Sequence, residues 1–110
     1  MEQERRQYTR FIIDQFVKLS MGREIFIEAE GLNLSRGGLL GRTSAPIENL
    51  EKVFVMLNLP FGDGLECVRT EGIVVYTQAE GPDTQFGLRF TDMWDSDQDI
   101  LDRYLKSLEP

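Results

Sequence analysis

A chain of 110 residues, 41% hydrophobic and 28% charged, is long enough to bury one core unaided and too apolar to stay unfolded. Its net charge of −7 excludes a general grip on DNA, RNA or anionic lipid, because such binding needs a broad basic surface. With no histidine and a single cysteine, Cys67, it lacks the commonest acid–base group and metal ligand and cannot form an intrachain disulfide. We therefore expect no enzyme, no metal and no cofactor, and a reducing cytoplasm as the simplest compartment. The first ten residues have no apolar run of the signal-peptide kind, and no stretch approaches the ~20 apolar residues needed to span a bilayer.

In chain order, residues 1–10 are polar and aperiodic and read as a flexible arm carrying Arg5, Arg6 and Arg10. From Phe11 to Leu19, residues Phe11, Ile13, Val17 and Leu19 share one face at period two, the spacing of a strand. Ile25, Ile27 and Ala29 repeat the pattern, and 31–38 is turn chemistry with Asn33, Ser35 and a Gly-Gly pair. A short strand follows at about 39–43. Lys52–Leu59, Glu66–Gln78 and Gln85–Thr91 are further strands, separated by turns at Pro60–Gly64 and at Gly81-Pro82. The period then changes. Ile100, Leu101, Tyr104, Leu105 and Leu108 fall at helical spacing, which predicts an amphipathic helix at about 97–108 within a terminal segment 96–108. Ser96 and Asp99 resemble a capping box at its start. Strands at this spacing followed by one helix predict a single, mainly β domain: an antiparallel barrel over 11–91 with a C-terminal α-helix packed on it.

Two short patterns carry chemistry. Arg6-x-x-x-Arg10 places planar, permanently charged forks on the arm, suited to phosphate or to the O6/N7 edge of guanine. Asn33-x-Ser35-x-x-Gly38 offers short polar side chains beside a backbone that a ligand can approach closely. Either pattern alone describes a solvated tail or a self-bonded turn. In this order, one before the first strand and one closing the second, they resemble the two-part signature of the PilZ domain family, RxxxR followed by (D/N)xSxxG. Gly72-Ile73-Val74, Gly87-Leu88-Arg89-Phe90 and the terminal helix fall where that family carries a G-x-V strand, a G-[VL]-x-F strand and its last helix. The resemblance covers nearly the whole chain.

The resemblance implies a six- or seven-stranded split barrel that binds cyclic di-GMP. It implies that Arg6 and Arg10, helped by Arg5, contact guanine edges and phosphates. Asn33 and Ser35 would hydrogen-bond a guanine, and Gly38 would shape the turn. Ligand would order the arm and so present a surface to a protein partner in trans, in control of motility, pili, biofilm or exopolysaccharide. The alternative is a degenerate relative that acts as a protein-interaction adaptor without nucleotide. Tyr8, Tyr76 and Phe90 are candidates to stack on the ligand, with core packing the expected role of Tyr76 and Phe90.

Other patterns fail on inspection. Asp95-x-Asp97-x-Asp99 begins like a calcium loop, but Ile100 and Lys106 stand where Gly and Glu are needed, so the aspartates read as helix N-terminal charge. Gly62-x-Gly64 is a turn. Trp94 is expected to anchor the strand-to-helix junction as a half-buried side chain.

Overall fold

Alternating apolar residues make strands, and here six strands close around the side chains that alternation turns inward. The structure, a computed structural model, describes residues 11–20, 26–61 and 63–109. Its elements are β1 (Phe11–Ser20), β2 (Phe26–Leu34), β3 (Gly38–Thr43), β4 (Lys52–Phe61), β5 (Gly64–Glu80), β6 (Asp83–Met93) and α1 (Asp95–Ser107). Every neighbouring pair is antiparallel, in the closed order β1-β2-β3-β6-β5-β4. The barrel and single C-terminal helix expected from the sequence are both present, with the strands running one or a few residues beyond the expected bounds. The arm 1–10 lies outside the described residues.

The core is built from register partners. Leu34, Leu39, Leu88 and Val74 face one another across β2, β3, β6 and β5, each at most 3% exposed. Val17, Leu57 and Val68 form a second row across β1, β4 and β5 and are wholly buried. The buried ring of Phe86 lies over Gly41 of β3. Burial of each such side chain contributes about 1.5–3 kcal/mol. From α1, Leu101, Tyr104 and Leu105 join this core.

Two of the barrel's four register shifts decide which residues of β2 and β5 face out. β2 gains one residue over β3 between Gly31 and Asn33, so Ala29 and Leu34 both point inward despite their odd spacing. Asn33 is thereby set on the outer face opposite Ile12, which is 90% exposed. In β5 an extra residue between Val74 and Tyr76 leaves Val74 buried while Val75 and Tyr76 are exposed. The ring closes through a short seam between β1 and β4, four pairs among the described residues from Val17↔Leu57 to Ser20↔Phe54, as few as between β2 and β3.

The helix start differs from expectation. Trp94 is the N-cap residue and no side chain caps the helix, so Ser96 and Asp99 do not form a capping box. Asp97 instead accepts the Arg69 backbone N–H of β5 at 3.1 Å, tying the first turn to the sheet. Trp94 is 77% exposed rather than half-buried, because the chain leaves β6 on the outside of the barrel. Asp95 and Asp97 do place negative charge in the first turn, where the helix dipole favours it.

Candidate functional site

The site begins where β1 enters the barrel. Phe11, its first residue, pairs with Leu34, the last residue of β2, so the chain arrives beside the 35–37 loop between β2 and β3. Arg5, Arg6 and Arg10 precede that point and lie outside the described residues. The other half of the signature is fully placed.

That loop is held from three directions. The Ser35 backbone N–H donates to Gly38 O at 2.9 Å, and Ser35 Oγ accepts the Gly37 N–H at 3.2 Å while lying 3.4 Å from Gly38 O as donor. Ser35 is 3% exposed, so its hydroxyl serves its own turn. Phe90 N–H of β6 donates to Gly37 O at 2.9 Å, fixing the loop to the barrel wall. Arg36 Nε donates to Asp102 Oδ1 of α1 at 2.9 Å, and Gln98 Nε2 donates to the same oxygen at 3.0 Å.

Gly38 has a steric duty. It pairs with Arg89, and a Cβ at this position would stand 2.0 Å from the backbone oxygen of Leu88. Only glycine lets β3 lie this close to β6, so the last residue of the signature shapes the wall beside the loop.

Outward from the loop, the barrel face is a ladder of register partners. One row runs Ile12, Asn33, Leu40, Gly87, Tyr76 across β1, β2, β3, β6 and β5. The next, on one side, is Gly38, Arg89, Ile73, Lys52, with Arg89 exposed. On the other side Arg42 pairs with Glu30 and Gln85, its guanidinium 2.9 Å from Glu30 and 3.4 Å from Glu80. Those hydrogen bonds, Glu30's first, raise the Arg42 pKa above its usual value and keep it cationic.

Tyr76 does not pack in the core. It lies over Gly87 on this outer face, with its hydroxyl donating to Gln78 and lying 3.2 Å from Gln85 Oε1. Phe90 is partly buried against the core, as expected. The face therefore combines amide, guanidinium and aromatic groups around a flat strip at Gly87. Leu40, Arg42, Gly87 and Arg89 were not singled out as site residues from the sequence. Their outward alternation was readable in β3 and β6, but not which face would meet the loop.

Among the described residues no cluster of three or more His, Cys, Asp or Glu could hold a metal ion, and no helix is long and apolar enough to cross a membrane.

A search of curated protein sequences returns no match. Solved structures do resemble the fold. Against the Bacillus subtilis inhibitor of motility (MotI/DgrA) the TM-score is 0.80 at 20% identity, covering 94% of this chain and 50% of that one. The PilZ domain of Escherichia coli YcgR with c-di-GMP gives 0.74 at 16%, covering 94% and 91%. The K. pneumonia MrkH–c-di-GMP complex gives 0.73 at 17%, covering 94% and 51%. The chain thus spans about half the length of MotI and MrkH and nearly all of the YcgR domain. The family model described as PilZ domain matches residues 4–107, which takes in both halves of the signature as well as the barrel and helix. This chain belongs to the PilZ domain family.

Proposed function

We propose that the chain is a receptor for cyclic di-GMP that performs no catalysis. The observation that carries the reading is the pairing of Phe11 with Leu34, which sets the residue that follows the Arg6-x-x-x-Arg10 pattern beside the Asn33–Gly38 segment. Arg5, Arg6 and Arg10 clamp the phosphates and guanine edges from the segment side, as forked cations do. Asn33, on the outer face, reads a guanine edge, and Gly38 keeps the wall low. Ser35 acts chiefly by holding the loop, since its hydroxyl is already engaged with Gly37 and Gly38. Tyr76 and Arg89 border the same face and give the ligand a ring and a charge to lie against. The YcgR and MrkH structures that share the fold hold c-di-GMP, which supports the ligand assignment.

Output follows from ordering: ligand fixes residues 1–10 against the barrel and creates a surface that a protein partner reads in trans, in the cytoplasm. Calorimetry with cyclic di-GMP, with GTP and cyclic di-AMP as controls and a check for turnover, tests the assignment. Selective binding without turnover is the expected result. Absence of binding would favour a nucleotide-free adaptor, a reading to which the self-satisfied Ser35 lends some support. Turnover would indicate an enzyme.

A further inference from the structure

Tryptophan buries more surface than any other side chain, and leaving one in water forfeits that gain. Trp94 is nonetheless 77% exposed, and Phe54 on β4 is 56% exposed beside it. The two rings border one groove of about 300 Å³, whose other walls are Arg69, Thr70, Glu71, Asp92 and Asp97. The groove is built on rigid parts. Phe54, Glu71 and Asp92 are register partners across β4, β5 and β6, and Asp97 is fixed by its bond from the Arg69 N–H. Thr70 Oγ1 lies 2.9 Å from Asp92 O and 3.0 Å from Glu71 O, bracing the floor.

Charge says what fits. Three carboxylates face one arginine across the walls, in a chain of net charge −7. Among the described residues neither Glu71 nor Asp92 takes part in an ion pair. A guanidinium entering here would gain both carboxylates and the faces of two aromatic rings, and Trp and Arg are both enriched where interfaces hold most of their binding energy. We propose that this groove is a protein-docking site for a basic, partly apolar segment of a partner, an arginine flanked by aliphatic side chains. The location suits a reader of the neighbouring loop. Asp92 lies two residues beyond Phe90, whose N–H holds Gly37, so groove and loop share one short stretch of β6. Docking itself requires no nucleotide and does not rest on the receptor assignment.

Trp94 is the sole tryptophan of the chain, so its fluorescence reports the groove directly. The test titrates the full chain, without cyclic di-GMP, with a short synthetic peptide of alternating arginine and leucine. The expected result is a saturable blue shift of Trp94 emission that weakens as salt is raised. Affinity should fall about tenfold in Phe54→Ala and in Glu71→Gln/Asp92→Asn, with melting temperatures near that of the wild type. No saturable shift, or equal affinity for a peptide with glycine in place of leucine, would overturn the proposal. So would concentration-dependent self-association abolished by Trp94→Ala, which would assign the groove to a second copy. A red shift of Trp94 emission in the peptide-free Arg5→Ala/Arg6→Ala/Arg10→Ala variant would assign it to the chain's own arginine segment instead.

Discussion

Arg36 Nε meets Asp102 Oδ1 at 2.9 Å, so the middle residue of the signature loop is tied to the C-terminal helix. Both side chains are about half exposed, and such a pair contributes roughly 1 kcal/mol or less to global stability. Its effect is local, holding the loop in one position relative to α1. Asp102→Asn should leave the melting temperature within a few degrees while the amides of residues 36 and 37 exchange several-fold faster. Hydrogen exchange resolved by NMR checks this; unchanged protection there would show the tie to be incidental.

Gly38 is needed for barrel closure before any ligand is considered. Gly38→Ala would force a methyl into the Leu88 carbonyl, and backbone cannot move aside as a side chain can. A loss of about 3 kcal/mol is expected, at the upper end of overpacking. Urea denaturation of the ligand-free protein measures it, and an unshifted midpoint would show that β3 and β6 can separate freely.

The arginines should behave in the opposite way. Arg6→Ala and Arg10→Ala should each weaken cyclic di-GMP binding by about 1.5–3 kcal/mol, one to two decades in affinity, with little change in ligand-free stability. Ser35→Ala should cost less in binding but about 1 kcal/mol in stability, because its buried hydroxyl is bonded within the loop. Calorimetry paired with thermal melts separates the two classes. A wild-type affinity in the double arginine variant would falsify the assigned site.

Burial raises the Tyr104 phenol above its usual 10.0. The folded state thus retains its proton where the unfolded chain releases it, and the associated stability is complete below pH 10.0 and declines as pH rises through the folded value. Tyr104→Phe should flatten that alkaline decline. Urea midpoints measured on either side of pH 10.0 for both proteins give the comparison, and parallel curves would rule Tyr104 out as the cause.

Leu50 has a φ of 69°, a conformation disfavoured for a branched side chain, yet it is 73% exposed. Its N–H is held by Val74 O at 2.6 Å, which fixes the turn in place. Replacement by asparagine, which tolerates this region, should therefore stabilise the protein by about 0.5–1 kcal/mol. A lower melting temperature in Leu50→Asn would mean that the leucine side chain makes contacts worth more than the strain.

Periodicity exposed the strands because water penalises a misplaced apolar face, and Val17, Leu19, Leu57 and Phe86 are buried as their spacing implies. It could not expose the bulges, where one added residue reverses the alternation. In the run Ile73-Val74-Val75-Tyr76 every residue suits either face, and only pairing with β6 turns Val74 in and Tyr76 out. The signature loop was legible as a motif. The duties of Ser35 and Gly38 were less so, because they depend on how close β3 comes to β6. The Arg36–Asp102 tie spans 66 residues and arises only once α1 folds back over the barrel. Trp94 departs from the half-buried position its sequence context implies for a related reason: a junction aromatic is buried only if the chain turns inward there.

The short β1–β4 seam gives the barrel an order of opening. Four pairs hold it among the described residues, against ten between β4 and β5, so parting β1 from β4 breaks fewer hydrogen bonds than parting β4 from β5. The same strand continues from the arginine-bearing segment. A ligand that bridges this segment and the loop after β2 would hold β1 in place at its Phe11 end, so nucleotide occupancy should register as slower breathing of the seam. Occupancy of the surface would then be reported through the lifetime of the closed barrel as well as through its shape.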